Sequence, residues 1–207
     1  MLIFSVLTYQ TLKHEQNIRF NYVTNSIVQD ITSKDSKFFH INLLECKKLQ
    51  FQHVTITAPA DSPNTNGIHM GRSSQITITN ANIRTSDDCI SIGDGNQDGS
   101  AGHGISIGSL GKYKNEQPIL GIRVTGATLS NTKNGVRIKT WPSSPPGVAS
   151  DIHFEDIVMK NVGNPIIIDQ NYCPNNQCSN EVIINITNIN TNFDVKGKKK
   201  SKTNYKY

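Results

Sequence analysis

Two adjacent carboxylates, Asp87 and Asp88, form the most chemically loaded pair in the 207-residue chain. Neighbouring acids repel, so one tends to hold a proton while the other stays ionised, unless cations offset the charge. That division yields one acid and one base, the two roles that glycoside hydrolysis requires. Two other uses stand beside it: a turn whose aspartates accept backbone N–H bonds, and a calcium site built from clustered acids. Further on, Gly102-His103-Gly104 sets an imidazole between small residues, suited to tuning an acid, binding a sugar hydroxyl or a structural role. Arg137 and Lys139, two apart, project together if their segment is a strand; they then suit a carboxylate or phosphate, or serve as plain surface charge. Asn66-Gly67 reads first as a turn.

The elements that must hold these residues are short strands. "VTITA", "QITITNANI", "CISIG", "GISIG", "GIRVTGATL", "GVRIK", "DIHFEDIVM", "PIIID" and "VIINITNI" alternate branched apolar with polar residues, and no segment carries a convincing helical period. Five segments share one pattern, starting at Asn66, Asp88, His103, Asn134 and Asn164: a polar residue, a turn-compatible residue, then apolar, variable, apolar, variable. Recurrence of one strand at solenoid-like spacing predicts an all-β parallel β-helix, with equivalent strands stacked about 4.8 Å apart. The third and fifth positions then point into the core. The fourth and sixth line one outer face, so His69, Ser91, Ser106 and Arg137 form a column with Lys139 beside it. Asn66, Asp88 and His103 gather at the mouth of the strands.

Composition bounds the rest. No apolar run approaches the ~20 residues of a membrane span. The formal charge of +5 comes from the end of the chain: residues 196–207 hold six lysines and no acid, leaving 15 basic against 16 acidic residues. This body near −1, with a lysine end lacking aromatic interleaving beyond two tyrosines, argues against a nucleic-acid partner and for a disordered tail. The first residues carry a short apolar run without a basic flank or small-residue cleavage site, a weak match to a signal peptide. Cys173 and Cys178 bracket "PNNQ", a spacing that suits a small disulfide-closed loop in an oxidising compartment. Asn185-Ile186-Thr187 reads either as an N-glycosylation sequon or as plain strand.

"SPNTNGIHMG", "SDDCISIGDG", "GHGISIGSLG", "GVRIKTWP" and "IIIDQNYC", in that order, resemble the polygalacturonases of glycoside hydrolase family 28, especially the plant type, over about residues 19–192. The resemblance implies a right-handed parallel β-helix that hydrolyses α-1,4 links of polygalacturonate with inversion. It implies Asp87 as general acid, Asp88 as base and His103 as the active-site histidine. Arg137, Lys139 and Tyr172 are implied as substrate-binding residues, and Asn64 and Asn66 are expected to bind substrate beside them. No metal or cofactor is implied; the partner is pectin polysaccharide, without nucleic acid or membrane, and the chain is expected as a monomer, secreted to the cell wall.

Three departures from the family pattern shape the expectations. Asn66 stands where a third carboxylate is usual; an amide orients water but takes no proton, so base function rests on Asp88 and the rate falls, general base catalysis being worth ~10²–10⁴-fold. Asp88 and His103 are too close for a full coil, with Gly99-Ser100-Ala101 in place of a strand and cysteine, which puts the pairing of Cys89 and the register of His103 in question. The β-helix is expected to be incomplete at both ends: an atypical segment 1–18, a partial domain 19–194 and the lysine-rich tail 195–207. The competing readings are a non-catalytic, pectin-holding remnant and a calcium-dependent pectate lyase, the latter opposed by the Gly-His-Gly and Arg-Ile-Lys motifs.

Overall fold

The computed structural model describes residues 16–62, 65–94, 104–142, 145, 147–173 and 178, and the backbone of strands within 184–186, 189–196 and 204–206. Every regular element among the described residues is a strand, and the strands wind coil by coil into a parallel β-helix. The first coil is β1 (Ile18–Asn21), β2 (Thr24–Gln29) and β3 (Thr32–Lys34); the second is β4 (Ile41–Leu44), β5 (Lys47–Gln52) and β6 (Thr55–Thr57). The third is β7 (Ile68–Gly71), β8 (Ser74–Thr79) and β9 (Asn82–Arg84). Then come β10 (Ile90–Ile92), β11 (Ile105–Leu110), β12 (Ile119–Thr125), β13 (Thr128–Ser130), β14 (Asn134–Thr140), β15 (Gly147–Lys160), β16 (Asn164–Asp169), β17 (Ile184–Ile186), β18 (Ile189–Lys196) and β19 (Asn204–Lys206).

One face is continuous. β1, β4, β7, β10, β11, β14, β16 and β19 form a single parallel sheet in that order. Its register is the one the repeats predict: Ile68, Ile90, Ile105, Val136 and Ile166 lie abreast. The first four are at most 1% exposed. Burial of each such side chain contributes about 1.5–3 kcal/mol, and a slip of one residue would turn the whole row outward, so this apolar column fixes the register.

The other two faces are interrupted. β2, β5 and β8 make one three-stranded sheet and β3, β6 and β9 another; β12, β13, β15, β17 and β18 make a separate sheet, with the long β15 pairing both β12 and β13. Among the described residues no strand joins β8 to β12 or β9 to β13. The first face nevertheless runs on unbroken, β10 pairing directly with β11. Gly99-Ser100-Ala101, the expected replacement for the lost strand, lies outside the described residues.

The corners are built by single residues in the left-handed region, such as Tyr22, Asp30, Glu45, His53 and Arg72, with φ between 48° and 58°. Each is fastened from the coil that follows. The Tyr22, Asp30, Glu45, His53 and Arg72 N–H groups donate to the carbonyls of Leu44, Gln52, Gly71, Thr79 and Asp94. Asn80 has the same conformation (φ 51°) but faces the interruption, and its N–H makes no such bond among the described residues. Gly67 has a different reason to be glycine: a Cβ there would collide with the Ile83 side chain of its own coil and with the Cys89 carbonyl beyond it.

Cys173 and Cys178 are joined in a disulfide, while Cys46 and Cys89 are free and buried. The expected disorder from residue 195 does not describe Val195 and Lys196, which end β18, or Asn204–Lys206, which form β19 against β16. Residues 1–15 lie outside the described set, and β1 begins one residue before the expected start at 19.

Candidate active site

Strand alternation on the continuous face places Asn42, His69, Ser91, Ser106 and Arg137 abreast, on the side opposite the core. The expected column therefore exists, but it is not an open surface. Ser91 is 3% and Ser106 2% exposed, and the Lys139 side chain 7%. The segments preceding the strands are tied together: the Ser86 hydroxyl donates to the Ser62 carbonyl and Asp87 N–H to the Thr65 carbonyl, which links the residues before Asn66 to the aspartate pair.

Asp88 is the electrostatic centre. It accepts from Ser106 Oγ at 2.6 Å, from Arg137 Nη2 at 2.7 Å and from Lys139 Nζ at 3.1 Å, while Arg137 Nε also donates to Ser106 Oγ at 3.1 Å. Burial pushes the Asp88 carboxyl up, but Lys139, Arg137 and the donated hydrogen bonds outweigh it and hold the group below the usual carboxylate range. Asp87 carries no ion pair among the described residues. Burial first, then the charge of Asp88, pushes its carboxyl up against the opposing pull of Lys139 and Arg137. The two carboxyls are thus shifted in opposite directions, Asp87 up and Asp88 down. Three hydrogen donors, two of them cationic, around Asp88 leave it ill suited to a calcium ion.

Asn66 is 7% exposed, and its Nδ2 donates to Ser91 Oγ at 3.1 Å. Ser91 Oγ also lies 2.7 Å from His69 Nδ1, within hydrogen-bond distance. Burial pushes the His69 pKa down to about 4, which keeps the ring neutral, and the ring stacks on Phe39 at 4.6 Å. The Asn66 Oδ1 is buried with no hydrogen-bond partner. The Asn66 amide therefore leaves a buried acceptor without a donor.

Asn66, Asp87, Asp88, Lys139 and Tyr172 line one cleft of about 310 Å³. Arg137 lies instead in a second cleft of about 390 Å³, between residues 85–89 and 131–135, where the interrupted faces leave room; Asp87 and Asp88 line both. Tyr172 stands with its ring 5.0 Å from Lys139 Nζ and edge-on to Trp141 at 5.9 Å. Asn64 and His103 lie outside the described residues. Sequence reasoning placed Ser91, Ser106 and His69 in the column without giving them chemistry, and it passed over Phe39, Lys112 and Trp141. The column position was the available signal for the first three; only proximity in space marks the others.

A model of the glycosyl hydrolases of family 28 matches residues 7–207. An exopolygalacturonase of Platanus acerifolia is 55% identical over 185 residues, covering 86% of this chain and 49% of that protein. A polygalacturonase of Gossypium barbadense is 54% identical over 182 residues, covering 84% of this chain and 45% of that protein. The chain thus spans about half the length of these curated relatives. Among solved structures, the endo-xylogalacturonan hydrolase from Aspergillus tubingensis superposes with a TM-score of 0.74 at 21% identity, over 87% of this chain and 53% of that one. The family 28 exopolygalacturonase of Yersinia enterocolitica gives 0.65 at 18% identity, over 83% and 32%. At these identities the two structures speak for the fold alone. The chain belongs to glycosyl hydrolases family 28.

Proposed function

We propose that this family 28 chain acts on polygalacturonate, hydrolysing α-1,4-galacturonosyl links with inversion. The observation that carries the reading is the split of the aspartate pair. Burial and the charge of Asp88 push the Asp87 carboxyl up, while Lys139 and Arg137, both paired with Asp88, hold the Asp88 carboxyl down. Asp87 gives its proton to the glycosidic oxygen as the bond to the anomeric carbon breaks. Water attacks that carbon from the opposite face, and Asp88 takes the water's proton.

Arg137 and Lys139 are occupied by Asp88, and this sets an order of events. A uronate carboxylate entering beside Tyr172 competes for Lys139; as the ammonium turns to it, Asp88 loses a partner and gains proton affinity. The substrate thus makes its own base stronger. We place the chain outside the cell, a setting that its Cys173–Cys178 disulfide suits.

The test is release of reducing ends from polygalacturonate, abolished by Asp87→Asn; undiminished turnover in that variant overturns the assignment. One observation favours a second reading, a pectin-holding chain without turnover: three donors on Asp88 weaken the base, and Asn66 supplies none. Binding that weakens with salt, without any reducing ends released, would select it.

A further inference from the structure

The wall of the 310 Å³ cleft continues past Lys139 through a run of rings and cations. Lys139 Nζ stands 5.0 Å from the Tyr172 ring, and Tyr172 meets Trp141 edge-on at 5.9 Å. Lys112 Nζ then lies 5.5 Å from the Trp141 ring and 5.3 Å from Tyr113. Lys112 and Tyr113 line the same cleft as Asp87, Asp88 and Lys139.

Three features set Lys112 apart from the two cations of the strand. Arg137 and Lys139 are both spent on Asp88, whereas Lys112 has no carboxylate partner among the described residues. The only acid on its loop, Glu116, also borders the cleft, but it accepts from the Gly111 and Tyr113 N–H groups at 2.6 and 2.9 Å. That carboxylate fixes the loop instead of neutralising Lys112. Finally Tyr113 is 64% exposed, an aromatic face left open beside a polar cleft. Trp141 Nε1 donates to Ser109 Oγ at 3.0 Å, which anchors the ring between the two lysines.

We propose that Lys112, with the Tyr113 and Trp141 rings, is a second uronate-binding position that receives the carboxylate of a galacturonate residue neighbouring the one held at Lys139 and Tyr172. The inference rests on the galacturonan reading above and extends it. An ammonium between two rings attracts an anion while the rings accept the apolar face of a sugar. Because Lys112 already stands uncommitted, it binds without the exchange that Lys139 must undergo, so it engages the polymer first.

The experiment is calorimetric binding of galacturonate monomer, galacturonate trimer and methyl-esterified trimer to the full chain and to Lys112→Gln. Lys112 is exposed on a loop held by Glu116, and circular dichroism confirms that the variant keeps its fold. The expected result is trimer binding weakened at least about tenfold, the size of one hydrogen bond to a charged group, with monomer and ester binding unchanged. Equal trimer affinity in the two proteins overturns the inference and leaves the galacturonan reading standing. Equal weakening toward trimer and ester also overturns it, since the charge would then play no part. A wild-type chain that binds no trimer overturns both.

Discussion

Between Ile90 and Ile105 the first face of the solenoid keeps every strand, while beside it the second and third faces are cut. The difference lies in what each face must hold. On the first face a row of fully buried isoleucines crosses the short link in register, so Ser91, Ser106 and Arg137 still point the same way and still meet Asp88. On the other faces β8 and β9 end a sheet without a partner beyond them among the described residues. Register and connectivity are therefore separable here: the apolar column preserves the geometry of the site while, among the described residues, no strand continues the other two faces beside it. The cost appears as the second cleft, which opens onto the same aspartates from the interrupted side.

The contrast can be broken most directly at the chemistry. Asp87→Asn should lower turnover on polygalacturonate by about 10²–10⁴-fold without moving the melting temperature; a loss of rate matched by a loss of fold would mean the pair is structural. Core truncation sharpens the comparison. Ile105→Ala on the continuous face should cost about 2–5 kcal/mol in urea unfolding, and Ile83→Ala on the cut face should lie near the lower end, about 2 kcal/mol. Equal costs would mean the two faces are packed alike.

Asn66→Asp restores a carboxylate beside an intact first face and should raise turnover by about tenfold to a hundredfold. An unchanged rate would put the limitation in the interrupted faces. Acid should act on the early coils. The pKa values of His40 and His69 both lie near 4, below the usual 6.5, so the unfolded chain binds more protons between those values. Their stabilisation is complete above about pH 6.5 and is lost toward pH 4, by up to about 1.4 kcal/mol per pH unit for each group. Urea titrations of the chain and of His40→Gln across that range check the slope. The smallest effect is local: hydrogen exchange should be faster at the outer edge of β8 than in β10 or β11.

The continuous face was legible because its signal is periodic. Asn66, Asp88, His103, Asn134 and Asn164 begin segments whose apolar positions coincide, and the observed pairs follow that alignment. The first coils, "IRFN" and "TNSIVQ", went unmarked because polar residues dilute the alternation there. Within the site, sequence identified the acid pair and the two cations but not their mutual commitment. Whether Arg137 and Lys139 face a substrate or Asp88 depends on torsions along long side chains. Lys112 carried no periodic signal, since its place comes from a loop that Glu116 folds. The corners were hidden for a related reason. Tyr22, Glu45 and Arg72 have no turn chemistry in common; what holds them is an N–H bond to a carbonyl one coil later.

That last arrangement gives the molecule a direction in time. Each corner adopts a conformation costing about 1–2 kcal/mol for a residue other than glycine, and the bond that offsets it comes from the following coil. A chain made from its N-terminus therefore emerges with its newest coil always unfastened, and each coil is secured only when the next one arrives. Growth of the solenoid is a ratchet, and Asn80, whose N–H meets no following carbonyl among the described residues, is a tooth of this kind left unengaged there.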